Sequence, residues 1–126
     1  MKRTISTSDA PAAVGAYSQA TTNGELLLTA GQLPLTPDGE LLDDASVGDQ
    51  TKQCLENVAA ILAAEDASLG DVLKTTVFLD DIDDFEEFNE VYGEFFDEDP
   101  PARSAVEVGN VPKGAAIEIE AVAVTE

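Results

Sequence analysis

Two hydrophobic periods divide the chain. Residues 103–108 alternate, with Arg103, Ala105 and Glu107 on one face and Ser104, Val106 and Val108 on the other. Residues 116–124 alternate again, with Ile117, Ile119, Ala121 and Ala123 on one side and Glu118 and Glu120 on the other. Period-two alternation rich in β-branched residues predicts strands. Gly109-Asn110 and Pro112-Lys113-Gly114 predict a turn that joins these two into a hairpin. Lys2–Thr7 reads as a short edge strand and Val72–Leu79 as a central one. Tyr17–Thr21 and Glu25–Leu33 read as strands hinged at Asn23-Gly24, a strong hairpin signal.

The helical period appears twice. Val47, Thr51, Cys54, Val58, Ile61 and Leu62 share one face of a helix predicted over Val47–Ala64, with Ser46 as N-cap and Asp49 at its positive end. Phe85, Phe88, Tyr92, Phe95 and Phe96 form the stripe of a second helix, capped at Asp83 or Asp84 and ending near Phe96. Such a stripe reads as core. The acidic run from Asp80 to Glu90 reads as that helix's solvated face, since it lacks the spacing and central glycine of a calcium loop. Strands, helix, strand, helix, strands is the order of an α+β domain over residues 1–126: a mixed, mostly antiparallel sheet of about six strands with two helices on one face. The other face keeps Leu73, Val77 and Leu79, or Val72 and Phe78, depending on register. An apolar face of that kind predicts association with further copies.

Composition changes the picture of the surface. Twenty-six acidic residues against six basic ones give a net charge of −20 and a pI near 4.1. With 44% hydrophobic residues set at regular periods, the chain is expected to fold rather than stay disordered. At 126 residues it can bury roughly two-thirds of its unfolded surface in one core. Carboxylates coating such a domain repel one another unless salt screens them, which predicts adaptation to a high-salt cytoplasm. Nucleic acid is an unsuitable partner, because phosphate contacts need clustered lysine and arginine.

One cysteine and no histidine remove further classes. No disulfide forms within the chain, and neither a Cys/His zinc site nor a histidine-based triad can be built. Cys54, on the apolar helix face, reads as a buried structural thiol. Met1-Lys2-Arg3 runs into polar residues rather than an apolar segment. The run Val58–Ala64 is too short to span a bilayer. A soluble, cytoplasmic protein without membrane contact is expected.

Candidate chemistry is sparse. Arg103 is one of only two arginines. A guanidinium grips a planar carboxylate through two parallel hydrogen bonds, although an arginine in so acidic a chain can equally serve as an ion-pair partner. Glu118 and Glu120 both point off the apolar side of their strand, and spacing does not choose between them. Tyr17, Gly31 and Asn89 have ordinary readings as a core tyrosine, a bulge and an exposed helix residue.

The motifs bring a resemblance. Pro101-Ala102-Arg103-Ser104-x-Val106-Glu107-Val108, followed by Ile117-Glu118-Ile119-Glu120-Ala121-x-Ala123, resembles the C-terminal signature of the RidA/YjgF family of enamine/imine deaminases. Ala10-Pro11 through Gly15, Tyr17 and Gln19 resembles its N-terminal segment, Ala30-Gly31-Gln32-Leu33-Pro34 its S-G-Q-I-P, and Lys74-Thr75-Thr76-Val77-Phe78 its K-T-T-V-F strand. The resemblance runs in order over nearly the whole chain. It implies a chorismate-mutase-like fold and a homotrimer with sites between subunits. It implies Arg103 as the grip on a substrate carboxylate, Glu118 as the residue handling the attacking water, and Tyr17, Gly31 and Asn89 as substrate-binding. Ala30 and Ala105 depart from the family's usual serine and cysteine, and Pro100 stands where an aromatic is common.

The implied activity is hydrolysis of 2-enamino or 2-imino acids, such as 2-aminoacrylate, to 2-keto acids and ammonia, with no metal or cofactor. The alternative is a non-catalytic module binding small carboxylates. Arg103 serves both, whereas Glu118 is required only by the first. The charge yields a first prediction: the thermal midpoint rises clearly between dilute buffer and molar KCl. A midpoint that stays flat across that range removes the high-salt reading.

Overall fold

The computed structural model describes residues 1–125. The elements in order are β1 (Arg3–Ile5), β2 (Ala20–Thr22), β3 (Leu26–Thr29), α1 (Val47–Ala63), β4 (Val72–Leu79), α2 (Phe85–Phe95), β5 (Ala102–Glu107) and β6 (Ile117–Val124). The strands form one six-stranded sheet in the order β1-β2-β3-β6-β4-β5. Only β4 and β5 run parallel; the other pairs are antiparallel. Cys54, Leu55, Val58, Ile61 and Leu62 of α1 and Phe88 and Tyr92 of α2 share one core with Val77 and Leu79 of β4 and Ile117, Ile119, Ala121 and Ala123 of β6. Both helices therefore cover the same side of the sheet. This is the α+β arrangement that the alternating and helical periods imply.

The hairpin expected between residues 103–108 and 116–124 is absent. After β4 the chain passes through α2 and returns as β5 beside β4, in parallel, as a crossover connection allows. β6 enters on the opposite side of β4. The intervening segment wraps the end of β4, where Val108 N donates to Leu79 O (2.9 Å) and Asp80 N to Ala116 O (3.0 Å). Alternation assigns a side chain to a face; it says nothing about which strand lies alongside.

The hairpin at Asn23-Gly24 does form. Gly24 takes φ +98°, and Asn23 Oδ1 accepts from the N–H groups of Glu25 (3.0 Å) and Leu26 (2.9 Å). Its strands are shorter than the periodicity suggests. Gln19 turns inward and is consumed by the N-terminal loop, accepting from Thr7 N (2.7 Å) and donating to Thr7 O (3.0 Å) and Pro11 O (2.7 Å). Beyond Thr29, the predicted strand continues only as an isolated bridge between Gln32 and Ile119.

α1 starts where Ser46 Oγ accepts from Asp49 N (3.0 Å). Its buried face is wider than the apolar stripe and includes Gly48, Gln50, Leu55 and Asn57. A Cβ on Gly48 would stand 3.0 Å from Val91 Cγ2, so the glycine permits the close approach of α2. The two buried amides act as latches. Gln50 accepts from Ala116 N (2.9 Å) and donates to Ala45 O (3.0 Å). Asn57 donates to Leu33 O (3.2 Å) and Leu35 O (2.8 Å), holding the loop after Gly31.

Neither expected set of outward residues survives intact, because β4 carries a bulge. Ala123 pairs with Val72 and Val122 with Lys74, leaving Leu73 unpaired. Val72, Val77 and Leu79 all end in the core, while Leu73 is exposed and Phe78 is left on the uncovered face. One unpaired residue reverses the alternation, since a shift by one moves every side chain to the opposite face. On that face Leu26 and Leu28 stand exposed beside Val122 and Val124.

Replacing Asn57 by Ala takes the donor from the part-buried carbonyl of Leu35 and one of two donors from that of Leu33, which keeps Leu35 N. We expect a loss of about 1–3 kcal/mol in unfolding free energy by urea titration at fixed salt, with the fold retained. A variant as stable as the parent contradicts the latch.

Candidate active site

Arg103 lies in β5 opposite Thr75 of β4, and its side chain turns toward α2. The guanidinium carbon sits 5.4 Å, 5.3 Å and 4.8 Å from the ring centres of Phe85, Phe88 and Tyr92. These lie within the range of cation–π attraction. Nη1 donates to Asn89 Oδ1 at 2.7 Å. Tyr92 is fixed in turn by a 2.7 Å hydrogen bond between its hydroxyl and Thr75 Oγ1. Burial pushes the Tyr92 phenol up from its ordinary value, with the Thr75 hydrogen bond and the Arg103 charge opposing. The aromatic stripe of α2 is thus core, as its spacing predicts, and also the bed of the guanidinium. A shallow cavity of about 360 Å³ opens here, bounded by Arg103, Asn89, Tyr92, Phe96, Pro100 and Pro101.

Glu118 lies in β6 opposite Phe78, on the face the helices leave uncovered. Gly31 is beside it. A Cβ on Gly31 would overlap the Glu118 carboxylate, standing 2.8 Å from its Cδ and 3.1 Å from its Cγ. Gln32 holds this approach, pairing with Ile119 through two backbone hydrogen bonds of 2.7 Å and 3.1 Å. Burial pushes the Glu118 carboxyl up, and the charge of Glu120, two residues along the same face, adds to the effect. Glu120 has Thr76 as its cross-strand neighbour. Geometry and desolvation therefore separate two glutamates that spacing left equivalent.

Arg103 pairs with Asn89, and Glu118 with Gly31, but the two pairs occupy opposite faces of the sheet. Tyr17 stands apart from both. It is exposed, accepts from Val14 N at 3.4 Å, and lines a groove of about 590 Å³ with Leu33, Leu35, Leu41 and Lys113. Neither groove includes Gly31 or Glu118. Ala105, two residues after Arg103, packs against the core opposite Val77, and Cys54 is buried beneath the sheet with its thiol pushed well up by burial. The sequence reading missed Thr75, Gln50 and Asn57. Gln50 and Asn57 are polar residues at helix positions that neighbour Cys54 and Ile61 at three- and four-residue spacing, and that was the available signal.

The sheet and paired helices define a small α+β domain whose polar side chains converge at two separate places. Comparison with known proteins places it. The family described as endoribonuclease L-PSP matches residues 7–125. A RutC family protein of Pyrococcus horikoshii is 50% identical over the full length of both chains. A 2-iminobutanoate/2-iminopropanoate deaminase of Salmonella typhimurium is 47% identical, with 98% of each chain covered. Among solved structures, Escherichia coli TdcF with bound serine is 44% identical and superposes with a TM-score of 0.93 over 98% of this chain and 99% of that one. A Thermotoga maritima protein described as a putative endoribonuclease reaches 0.95 at 46% identity, over 100% and 99% of the chains. The chain belongs to the endoribonuclease L-PSP family, the RidA/YjgF family of the motifs above.

The raised Glu118 carboxyl has a consequence for stability. A folded-state value above the unfolded one means that the native protein binds this proton more tightly than the unfolded chain does. Its contribution is complete below the unfolded value and is lost as pH rises through the folded one. Glu118→Gln removes that loss. The variant's thermal midpoint, measured against the parent, should gain as pH rises from about 4 to 7. A difference independent of pH shows that the carboxylate is not desolvated.

Proposed function

We propose that the protein hydrolyses small 2-enamino and 2-imino acids to the 2-keto acid and ammonia, and that each site is shared between two copies of the chain. The observation that carries the second half is the placement of Arg103 and Glu118 on opposite faces of one sheet. One chain does not present both to a single small molecule. A neighbouring copy seated on the uncovered apolar face brings its own Arg103 edge toward Gly31 and Glu118. That face carries Leu26, Leu28, Phe78, Val122 and Val124, an apolar surface fit for such a contact. A closed homotrimer is the arrangement we favour.

In this reading Arg103 holds the substrate carboxylate through its free N–H groups, with Asn89 beside it, and Tyr17 closes the cleft. 2-Aminoacrylate tautomerises to 2-iminopropanoate. Water adds to the imine carbon while the Glu118 carboxylate takes its proton. Glu118 returns that proton to nitrogen, giving the carbinolamine. The carboxylate then takes the carbinolamine hydroxyl proton and passes it to nitrogen as the C–N bond breaks, so that ammonia leaves and the C–OH becomes the keto C=O. A carboxylate made more basic by burial takes a proton from water more readily than an exposed one. Gly31 leaves room for the carboxylate and for close approach of substrate to backbone. Addition of water and loss of ammonia by this route need proton transfer alone, without a metal or cofactor. A relative named for deamination of 2-iminobutanoate and 2-iminopropanoate, and another solved with serine bound, support a small amino-acid-like substrate.

A second reading, a non-catalytic module binding small carboxylates, rests on Ala105 and Ala30, where the family's usual cysteine and serine are missing. Ribonuclease action, which the family description mentions, fits poorly with a net charge of −20. No helix among the described residues is long and apolar enough to cross a membrane.

The test follows 2-keto acid and ammonia released from enzymatically generated 2-aminoacrylate. Glu118→Gln should bind 2-oxobutanoate as the parent does while turnover falls by about 10²–10⁴-fold. Arg103→Lys should weaken binding and turnover together. Glu120→Gln should remain near the parent. Mixing Arg103→Lys with Glu118→Gln subunits should restore activity, because one interface then carries both native residues. Parental inactivity moves the reading to the binding module, and failure of mixing to restore activity places the site within one chain.

A further inference from the structure

Arg103 has escaped the neighbours its composition supplies. The chain carries 26 acidic residues against six basic ones, and Glu86, Glu87, Glu90 and Glu94 stand on the helix that packs against it. Among the described residues the only salt bridge is nevertheless Arg3–Glu65, at 2.8 Å. Glu87 is turned away, accepting from Gly48 N at 3.0 Å at the start of α1. The guanidinium meets instead the rings of Phe85, Phe88 and Tyr92, and the amide oxygen of Asn89.

These partners share one property: none is an anion. Ring faces attract a cation through their quadrupole without neutralising it. The amide of asparagine has the reach of an aspartate and accepts one N–H at 2.7 Å, but carries no charge. The cavity beside the guanidinium is lined by Asn89, Tyr92, Gly93, Phe96, Pro100 and Pro101, with no carboxylate among them. The hydrogen bond between the Tyr92 and Thr75 hydroxyls keeps one ring in place.

We propose that the three-ring bed and Asn89 form a neutral holder, which keeps Arg103 clear of the chain's own carboxylates so that an incoming carboxylate is its first anionic partner. The inference rests on Arg103 being the carboxylate grip. Asn89 is then a positioning residue acting through Arg103, and its neutrality matters more than its hydrogen bond. A carboxylate at position 89 competes with substrate from within the molecule, at an effective concentration of millimolar or above.

The test compares Asn89→Asp with Asn89→Ala in the full-length protein at one salt concentration. Binding of 2-oxobutanoate is measured by calorimetry and stability by thermal melting. Asn89→Asp should raise Kd about tenfold or more, with a midpoint equal to or above the parent's, because it gains an ion pair. Asn89→Ala should raise Kd only about two- to threefold, for the lost hydrogen bond. Weaker binding in a variant that is no less stable is an outcome that a purely structural role does not produce. The proposal is overturned if Asn89→Asp binds as well as Asn89→Ala, if the aspartate variant melts well below the parent, or if the parent does not bind 2-oxobutanoate. A parent that binds 2-oxobutanoate but does not deaminate overturns the catalytic reading and leaves this one standing.

Discussion

Side chains along an extended strand leave alternately to opposite faces, and the rest of this structure depends on how β4 and β6 use that constraint. Their shared register sends Ile117, Ile119, Ala121, Val77 and Leu79 beneath the helices and Glu118, Glu120, Thr76 and Phe78 to the other side. The same alternation, carried across to β5, turns Arg103 toward α2. Core and chemistry are therefore not independent. Burying the apolar half of β6 commits its glutamates to the uncovered face, and burying Thr75 commits its neighbour Arg103 to the covered one. This opposition of faces is why we propose that a second copy completes the site.

Each half of the candidate site is held by neighbours that are not themselves reactive. Gly31 is brought against Glu118 because Gln32 pairs with Ile119 and Asn57 anchors the carbonyls of Leu33 and Leu35. No buried side-chain nitrogen or oxygen among the described residues lacks a hydrogen-bond partner. Buried amides cost free energy when unpaired and specify one arrangement when paired. Here they tie irregular loops to α1. Arg103 is held in a different currency, by aromatic faces rather than by carboxylates. In a chain so rich in acidic groups, this guanidinium is met by rings and an amide rather than by a carboxylate.

Acidity and site chemistry meet again at Glu118. Its carboxyl is raised first by burial and then by Glu120. The surface charge of the molecule is exposed to salt, whereas this pair is partly screened from solvent by the sheet and by the Gly31 segment. High salt should therefore act on the many exposed carboxylates more than on the one near Gly31.

The sequence by itself determined the elements, their order and the single covered face, and it marked the candidate site residues. Apolar periods of two and of three to four residues are local properties, and Ser46, Asn23 and Gly24 act on the backbone within a few positions. The site residues were legible through motif resemblance, with Arg103 marked further by the scarcity of basic residues. Spacing alone could not choose Glu118 over Glu120; the resemblance named Glu118, and the structure shows that it is Glu118 that lies against Gly31 and loses solvent. Only the tertiary structure decided that β4 lies between β5 and β6, because strand partners are chosen by packing between segments far apart in the chain. It also decided which residues of β4 face outward, since one unpaired Leu73 reverses an otherwise regular alternation. The opposition of Arg103 and Glu118 across the sheet follows from those two facts together, and neither can be read from a pattern confined to one strand.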